Sequence, residues 1–134
     1  MQLIRRKSDY ALRSLSLLAG LPKGNKIKVI AIAKKQNVPV AFLRKTLLKL
    51  SKAGIVESQS GPSGGFWLAR KPSQISLKEV LESVQGRVSL NDCLYDCNSC
   101  IRWRRCSVRP GLSVIQEKLI GLLDKCNLED FIKL

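Results

Sequence analysis

Five residues near the middle of the chain, Gly61-Pro62-Ser63-Gly64-Gly65, constrain everything on either side of them. Three glycines and a proline in so short a run cannot continue a helix or a strand. The run separates two short extended stretches, Ile55–Ser60 and Phe66–Ala69, and so reads as the tip of a β-hairpin. Upstream the apolar period is helical. Ser8 is a plausible N-cap with Asp9 in the first turn, and Tyr10, Leu12, Leu15, Leu17 and Leu18 follow until Gly20-Leu21-Pro22. Residues 23–27 form a loop. Val29, Ile30, Ile32 and Ala33 mark a second helix closed near Asn37, and Val38-Pro39 is a turn because a residue before proline avoids the helical region. A third helix runs from about Val40 to Ala53. Its apolar members are Phe42, Leu43, Leu47, Leu48 and Leu50, with Arg44, Lys45, Lys49 and Lys52 mainly on the other side and Gly54 just beyond its end.

Downstream, Ser76-Leu77-Lys78-Glu79 is a capping box that opens a helix to about Val84, stopped at Gly86. Residues 87–108 lack a clean period. Pro110 then suits the start of a long helix whose stripe is Leu112, Ile115, Leu119, Leu122, Leu123 and Cys126. The expected fold is therefore mainly α with a small β-hairpin: a winged helix-turn-helix in residues 1–86, a cysteine-rich loop in 87–108, and a long C-terminal dimerisation helix with a tail in 109–134. The wing pair Phe66 and Trp67 is expected in the hairpin core, and the stripe between 110 and 126 is expected to face a second copy of the chain.

Charge divides the chain in two. Residues 1–71 hold fifteen Lys and Arg against two acids, a net of +13, whereas 72–134 hold nine against eight, a net of +1. A basic half of this kind points to a polyanion, nucleic acid or an anionic membrane face, and the winged helix-turn-helix layout selects double-stranded DNA. The second helix of a helix-turn-helix enters the major groove, so Val40, Ala41, Arg44 and Lys45 are the expected base-facing residues, with Lys49 and Lys52 nearer phosphate. The glycine-rich tip lets the backbone at Ser63 and Gly64 approach the duplex, while Arg5, Arg6, Lys7, Lys26 and Lys28 add phosphate contacts.

Several functions are excluded. Histidine is absent, which removes Ser–His–Asp, Cys–His and His–metal chemistry. No glycine-rich phosphate loop, dinucleotide fingerprint or paired-carboxylate site is present, so neither an enzyme nor a small-molecule substrate is expected. No apolar run reaches the ~20 residues of a membrane span. The basic N-terminal segment is not a secretory leader, so a cytoplasmic location with reduced cysteines is expected.

Four of five cysteines lie close together, as Cys93-x3-Cys97-x2-Cys100-x5-Cys106, while Cys126 sits apart on the helix stripe as a core thiol. Clustered thiols outside a disulfide-forming compartment read as metal ligands. Arg102, Arg104, Arg105 and Arg109 would depress their pKa values and offset thiolate charge. Spacing leaves both zinc and an iron–sulfur cluster open.

Nearly the whole chain resembles the IscR/NsrR-type winged-helix regulators. The matching pieces are Ser8 to Arg13, Leu43 to Gly54, the wing Gly61 to Arg70, Ile75 to Val80, the cysteine loop, and Asn127 to Asp130. The resemblance implies a homodimeric DNA-binding repressor or activator with one iron–sulfur cluster per subunit, whose loss, oxidation or nitrosylation changes DNA affinity. Cys93, Cys100 and Cys106 correspond to the family's three cysteine ligands. Arg109 stands where some members have a histidine ligand, which disfavours the histidine-ligated 2Fe–2S form. Asp9 matches the carboxylate ligand of the nitric-oxide-sensing branch, reaching from the partner subunit, and Cys97 is the other candidate for fourth ligand. That branch and all-cysteine ligation both favour 4Fe–4S over 2Fe–2S.

Overall fold

The computed structural model describes residues 2–132; Met1 and the last two residues of the expected tail, Lys133 and Leu134, lie outside them. Helices α1 (Arg6–Ala19), α2 (Val29–Gln36) and α3 (Val40–Lys52) precede a hairpin of β1 (Val56–Gln59) and β2 (Gly65–Leu68). Helix α4 (Leu77–Gln85), the long α5 (Arg109–Lys125) and the short α6 (Leu128–Ile132) follow, with 3₁₀ turns at Pro72–Gln74, Asp92–Leu94 and Trp103–Arg105. This is a mainly helical winged-helix fold with one antiparallel hairpin.

The main core gathers Leu15 of α1, Ile32 of α2, Leu43, Leu47 and Leu50 of α3, Ile55 and Val80, all fully buried. Each such aliphatic side chain contributes about 1.5–3 kcal/mol on leaving water. Only a stripe of α3 is covered: Leu43, Leu47 and Leu50 recur at helical intervals, whereas Phe42 and Leu48, expected on the apolar face, are exposed. Ile30 of α2 is likewise exposed. The Phe42 ring meets Tyr10 edge-on at 5.5 Å.

Helix α1 begins earlier than the expected cap. Arg5 holds the N-cap position, and Ser8 lies inside the helix, fully buried. The Ser8 hydroxyl donates to Gln85 Oε1 at 2.6 Å, so this serine joins α1 to α4 instead of capping α1. The same oxygen accepts the Arg5 N–H at 3.1 Å, and Gln85 Nε2 donates to the Leu3 carbonyl at 2.8 Å. The Ser76 cap forms as expected, its hydroxyl accepting from the Glu79 N–H at 3.1 Å.

In the hairpin, Glu57 pairs with Trp67 and Ser58 with Phe66. Phe66 and Leu68 pack on the main core, but Trp67 does not join it. Alternation sends Trp67 to the outer face beside Glu57, whose carboxylate accepts the indole N–H at 3.0 Å, so the expected core placement holds for Phe66 alone. Ile27 extends the sheet by one bridge: its N–H donates to the Phe66 carbonyl at 3.1 Å, and the Phe66 N–H returns a bond of 2.8 Å. The tip tolerates no side chain at two places. A Cβ on Gly64 would stand 2.0 Å from the Gln59 carbonyl oxygen, and one on Gly65 would stand 2.9 Å from that of Ile27.

A second cluster joins Leu77 and Leu81 of α4 to Val88 of the segment that follows and to Leu123 of α5. The residues beyond α5, expected as a tail, form α6. Leu128 is fully buried in the main core, and the Leu128 N–H donates to the Ile75 carbonyl at 3.0 Å. Asn127 caps this helix: its Oδ1 accepts the Glu129 N–H at 3.0 Å, and its own N–H donates to Asp130 Oδ2 at 2.9 Å.

Candidate functional site

Helices α2 and α3 meet at a turn fixed by Asn37, whose left-handed backbone (φ 53°) ends α2, and by Pro39 at the cap of α3. Val40 is half-buried against the core. Ala41, Arg44, Lys45 and Lys52 are exposed, and none of these three basic side chains has an ion pair or hydrogen bond among the described residues. Lys49 differs, because its Nζ donates to the Val84 carbonyl at 3.3 Å and so ties α3 to the end of α4. At the wing, Lys28, Ser63 and Gly64 line one cleft of about 470 Å³ together with Gly24, Asn25 and Lys26. Lys26, expected at phosphate, is hydrogen-bonded to Gln59 and lies 5.1 Å above the Trp67 ring. Arg5 is exposed at the start of α1.

The cysteine loop is held by polar anchors in place of an apolar core. Gln116 of α5 is only 5% exposed and takes part in three hydrogen bonds. It accepts the Leu90 N–H at 2.8 Å and donates to the Val88 carbonyl at 2.8 Å and the Tyr95 hydroxyl at 2.9 Å. Arg87 covers the Tyr95 ring at 4.4 Å. Farther along, Trp103 Nε1 donates to the Cys93 carbonyl at 2.8 Å, and Arg109 stacks on the indole at 4.2 Å. The Arg109 N–H points to Cys106 Sγ at 3.4 Å. Cys93 and Cys106 thus sit half-buried on one connected frame. Cys97 and Cys100 are exposed and line a cavity of about 750 Å³ with Ile101, Trp103 and the arginines 102, 104 and 105.

The backbone N–H groups of Arg109 and Val108 hold the Cys106 thiol below its ordinary value. Desolvation opposes them, and the positive charges of Arg109 and Arg102 reinforce them. Of the four arginines expected to depress thiol pKa values, Arg109 and Arg102 do so at Cys106, and less than the backbone does. Burial pushes the Cys126 thiol up, with Asp130 adding to the effect, as suits a half-buried thiol packed against the second cluster. The donors suit a soft metal: they are thiols, one is biased toward thiolate, and guanidinium groups stand by to offset charge. Among the described residues, no three Cys, Asp or Glu side chains are gathered closely enough to hold a metal ion. The Asp9 carboxylate pairs with Arg13 at 3.0 Å within α1.

The family model described as "Rrf2: Iron-dependent Transcriptional regulator" matches residues 4–134. The chain belongs to the Rrf2 family. It is a helix-turn-helix transcriptional regulator that binds DNA, not an enzyme. It is 30% identical to the rrf2-like HTH-type regulator of Rhodobacter capsulatus, over 97% of this chain and 92% of that protein. It is 29% identical to the regulator NsrR of Halalkalibacterium halodurans, over 93% and 86% of the two chains. Among solved Rrf2-type structures, CymR, the global cysteine regulator of B. subtilis, matches with a TM-score of 0.80 at 23% identity, covering 99% of this chain and 98% of that one. T. potens IscR matches at 0.73 and 22%, covering 97% and 85%. No helix among the described residues is long and apolar enough to cross a membrane.

Four residues that organise the Rrf2 site escape sequence reading. Gln85 fixes the start of α1, Gln116 anchors the loop to α5, and Trp103 links Cys93 to Arg109. Arg70 ties the wing to α4: it pairs with Glu79 and donates to the Gly54 and Gln74 carbonyls, each at 3.2 Å. The one available signal was a lone Gln at 116, one residue after Ile115 within the long helix.

Proposed function

We propose that this Rrf2 protein is a homodimeric, sequence-specific transcriptional regulator whose DNA affinity is switched by an iron–sulfur cluster in the loop 87–108. Cys93, Cys100 and Cys106 hold the cluster, with either Asp9 of the partner subunit or Cys97 as fourth ligand and with 4Fe–4S favoured over 2Fe–2S. The base-facing set is Val40, Ala41, Arg44 and Lys45; Lys52, Arg5 and Lys28 meet phosphate, and Ser63 and Gly64 bring the wing backbone close. Lys49 contributes by holding α3 against α4. Bound, the cluster supplies a centre that oxidants, nitric oxide or iron shortage can alter.

The observation that carries this reading is the Cys93–Trp103–Arg109–Cys106 frame and its tie through Gln116 to α5. It joins the thiol loop to a helix with an uncovered apolar row. Val108, Ile115 and Leu122 recur every seven residues on that row and are exposed, Leu122 by 68%. A seven-residue apolar repeat is the spacing of a helix–helix seam. A change in the loop therefore reaches the element that would set the distance between two recognition helices. Half-sites lie about 34 Å apart, so small shifts in that distance alter affinity.

The test is anaerobic purification with metal analysis and visible absorption, on the wild type and on a variant with Cys93, Cys100 and Cys106 all changed to Ser. Brown wild-type protein containing iron and sulfide, and a colourless variant with altered DNA affinity, is the expected result. Colourless wild-type protein with stoichiometric zinc, or with no metal, would replace the cluster with a zinc-stabilised or thiol-based regulator.

A further inference from the structure

Lys26 and Lys28 lie two residues apart at the same cleft but in different states. Lys28 is exposed, and its ammonium has no partner among the described residues. The Lys26 ammonium is engaged by the Gln59 carboxamide and sits over the outer-face Trp67, whose indole N–H is held by Glu57. Between the two lysines, Ile27 is buried and bridges the backbone of Phe66 in both directions. The loop before α2 is thus fastened to the wing by backbone at Ile27 and by side chain at Lys26. A cation over an indole, held by a second hydrogen bond, biases the setting of a two-stranded hairpin.

We infer that Lys26 is a positioning residue: stacked on Trp67 and bonded to Gln59, it sets the wing against the loop before α2, and Lys28 is the lysine of this cleft that meets a backbone phosphate of duplex DNA. The inference rests on the wing contact proposed above. It turns two lysines of equal charge into one clamp and one ligand, and their salt dependences separate them. A lysine that neutralises a phosphate contributes about 0.9 to the slope of log K against log salt, whereas a lysine that holds protein against protein contributes nothing.

The experiment uses the full chain and a duplex that the wild-type protein selects from a randomised pool of about 30 base pairs. Binding is titrated over a range of potassium chloride for the wild type, Lys28→Met, Lys26→Met and Lys26→Arg. Hydrogen–deuterium exchange of Ile27 and of segment 57–67 is read without DNA. Lys28→Met is expected to reduce the slope by about 0.9 with wild-type exchange. Lys26→Met is expected to weaken binding a few-fold at unchanged slope, with faster exchange in 57–67. Lys26→Arg, which keeps a donor and a cation over the ring, restores wild-type exchange. A slope loss of about 0.9 in Lys26→Met, or exchange unaltered by it, would overturn the assignment. An unchanged slope in Lys28→Met alongside fast exchange in Lys26→Met would instead sink the wing–phosphate contact and leave the clamp standing.

Discussion

The reading half and the thiol loop are stabilised by different physics. Helices α1 to α3 and the wing are set around fully buried aliphatic side chains, with Leu15, Leu43, Leu47 and Leu50 at 0% exposure. The loop 87–108 buries only Val88 among its apolar residues, and it is positioned by Gln116, Tyr95, Trp103 and Arg109 through hydrogen bonds and cation–π contacts. Close-packed cores hold one arrangement. A loop hung on a few polar anchors can be rearranged at a cost of a few kcal/mol, the scale on which a bound group shifts populations. On the function proposed above, DNA reading belongs to the packed half, and responsiveness would be confined to the loop and the helix it grips.

The sharpest contrast comes from the core. Leu47→Ala should destabilise the fold by about 2–5 kcal/mol, visible in thermal unfolding, with loss of DNA binding at growth temperature. Next, Ile115→Glu with Leu122→Glu places charges on an exposed row, so one chain's stability should hardly change. Across a seam of two copies the charges repel, and light scattering should show monomers with DNA affinity down on the order of 100-fold. Unaltered dimers would remove α5 as the seam.

Gln116→Leu leaves the Leu90 N–H and the Val88 carbonyl without their partner, a loss of about 1–3 kcal/mol. Hydrogen exchange should accelerate in 88–95 while segment 29–52 keeps its protection. Equal acceleration in both would erase the division drawn above. Smaller still is a difference in thiol reactivity. With the Cys106 thiol held below its ordinary value and that of Cys126 pushed up, iodoacetamide at neutral pH should modify Cys106 first in metal-free protein. Raising the pH should narrow the gap, because the lower-held Cys106 thiol completes its ionisation first while Cys126 continues to ionise. Least of all, Cys97→Ser should move the stability of metal-free protein by less than about 0.5 kcal/mol, since the side chain is exposed. Iron retained by Cys97→Ser and lost by Asp9→Asn would assign the fourth ligand to Asp9; the reverse would assign it to Cys97.

The same contrast explains what could be read from sequence. Local periodicity announces α1 to α4 and the hairpin, because Leu43, Leu47 and Leu50 recur at helical spacing and Gly61–Gly65 forces a turn. The thiols are visible as a spacing of four cysteines. Their frame is not, because it depends on partners with no local pattern: Trp103 meets Cys93 across 10 residues, and Gln116 meets Val88 across 28. The place of Trp67 escapes the sequence for a related reason. An aromatic in a short strand reads as core until the register puts it opposite Glu57 on the outer face.

The central claim is that metal in the loop alters how two reading heads sit on DNA. Its most direct measurement is a footprint titration on genomic DNA, using one anaerobic preparation divided into metal-loaded and chelator-stripped halves. Protection of two half-sites about one helical turn apart is expected, with midpoints separated by at least tenfold, about 1.4 kcal/mol, between the halves. Superimposable titrations with identical protection would contradict it.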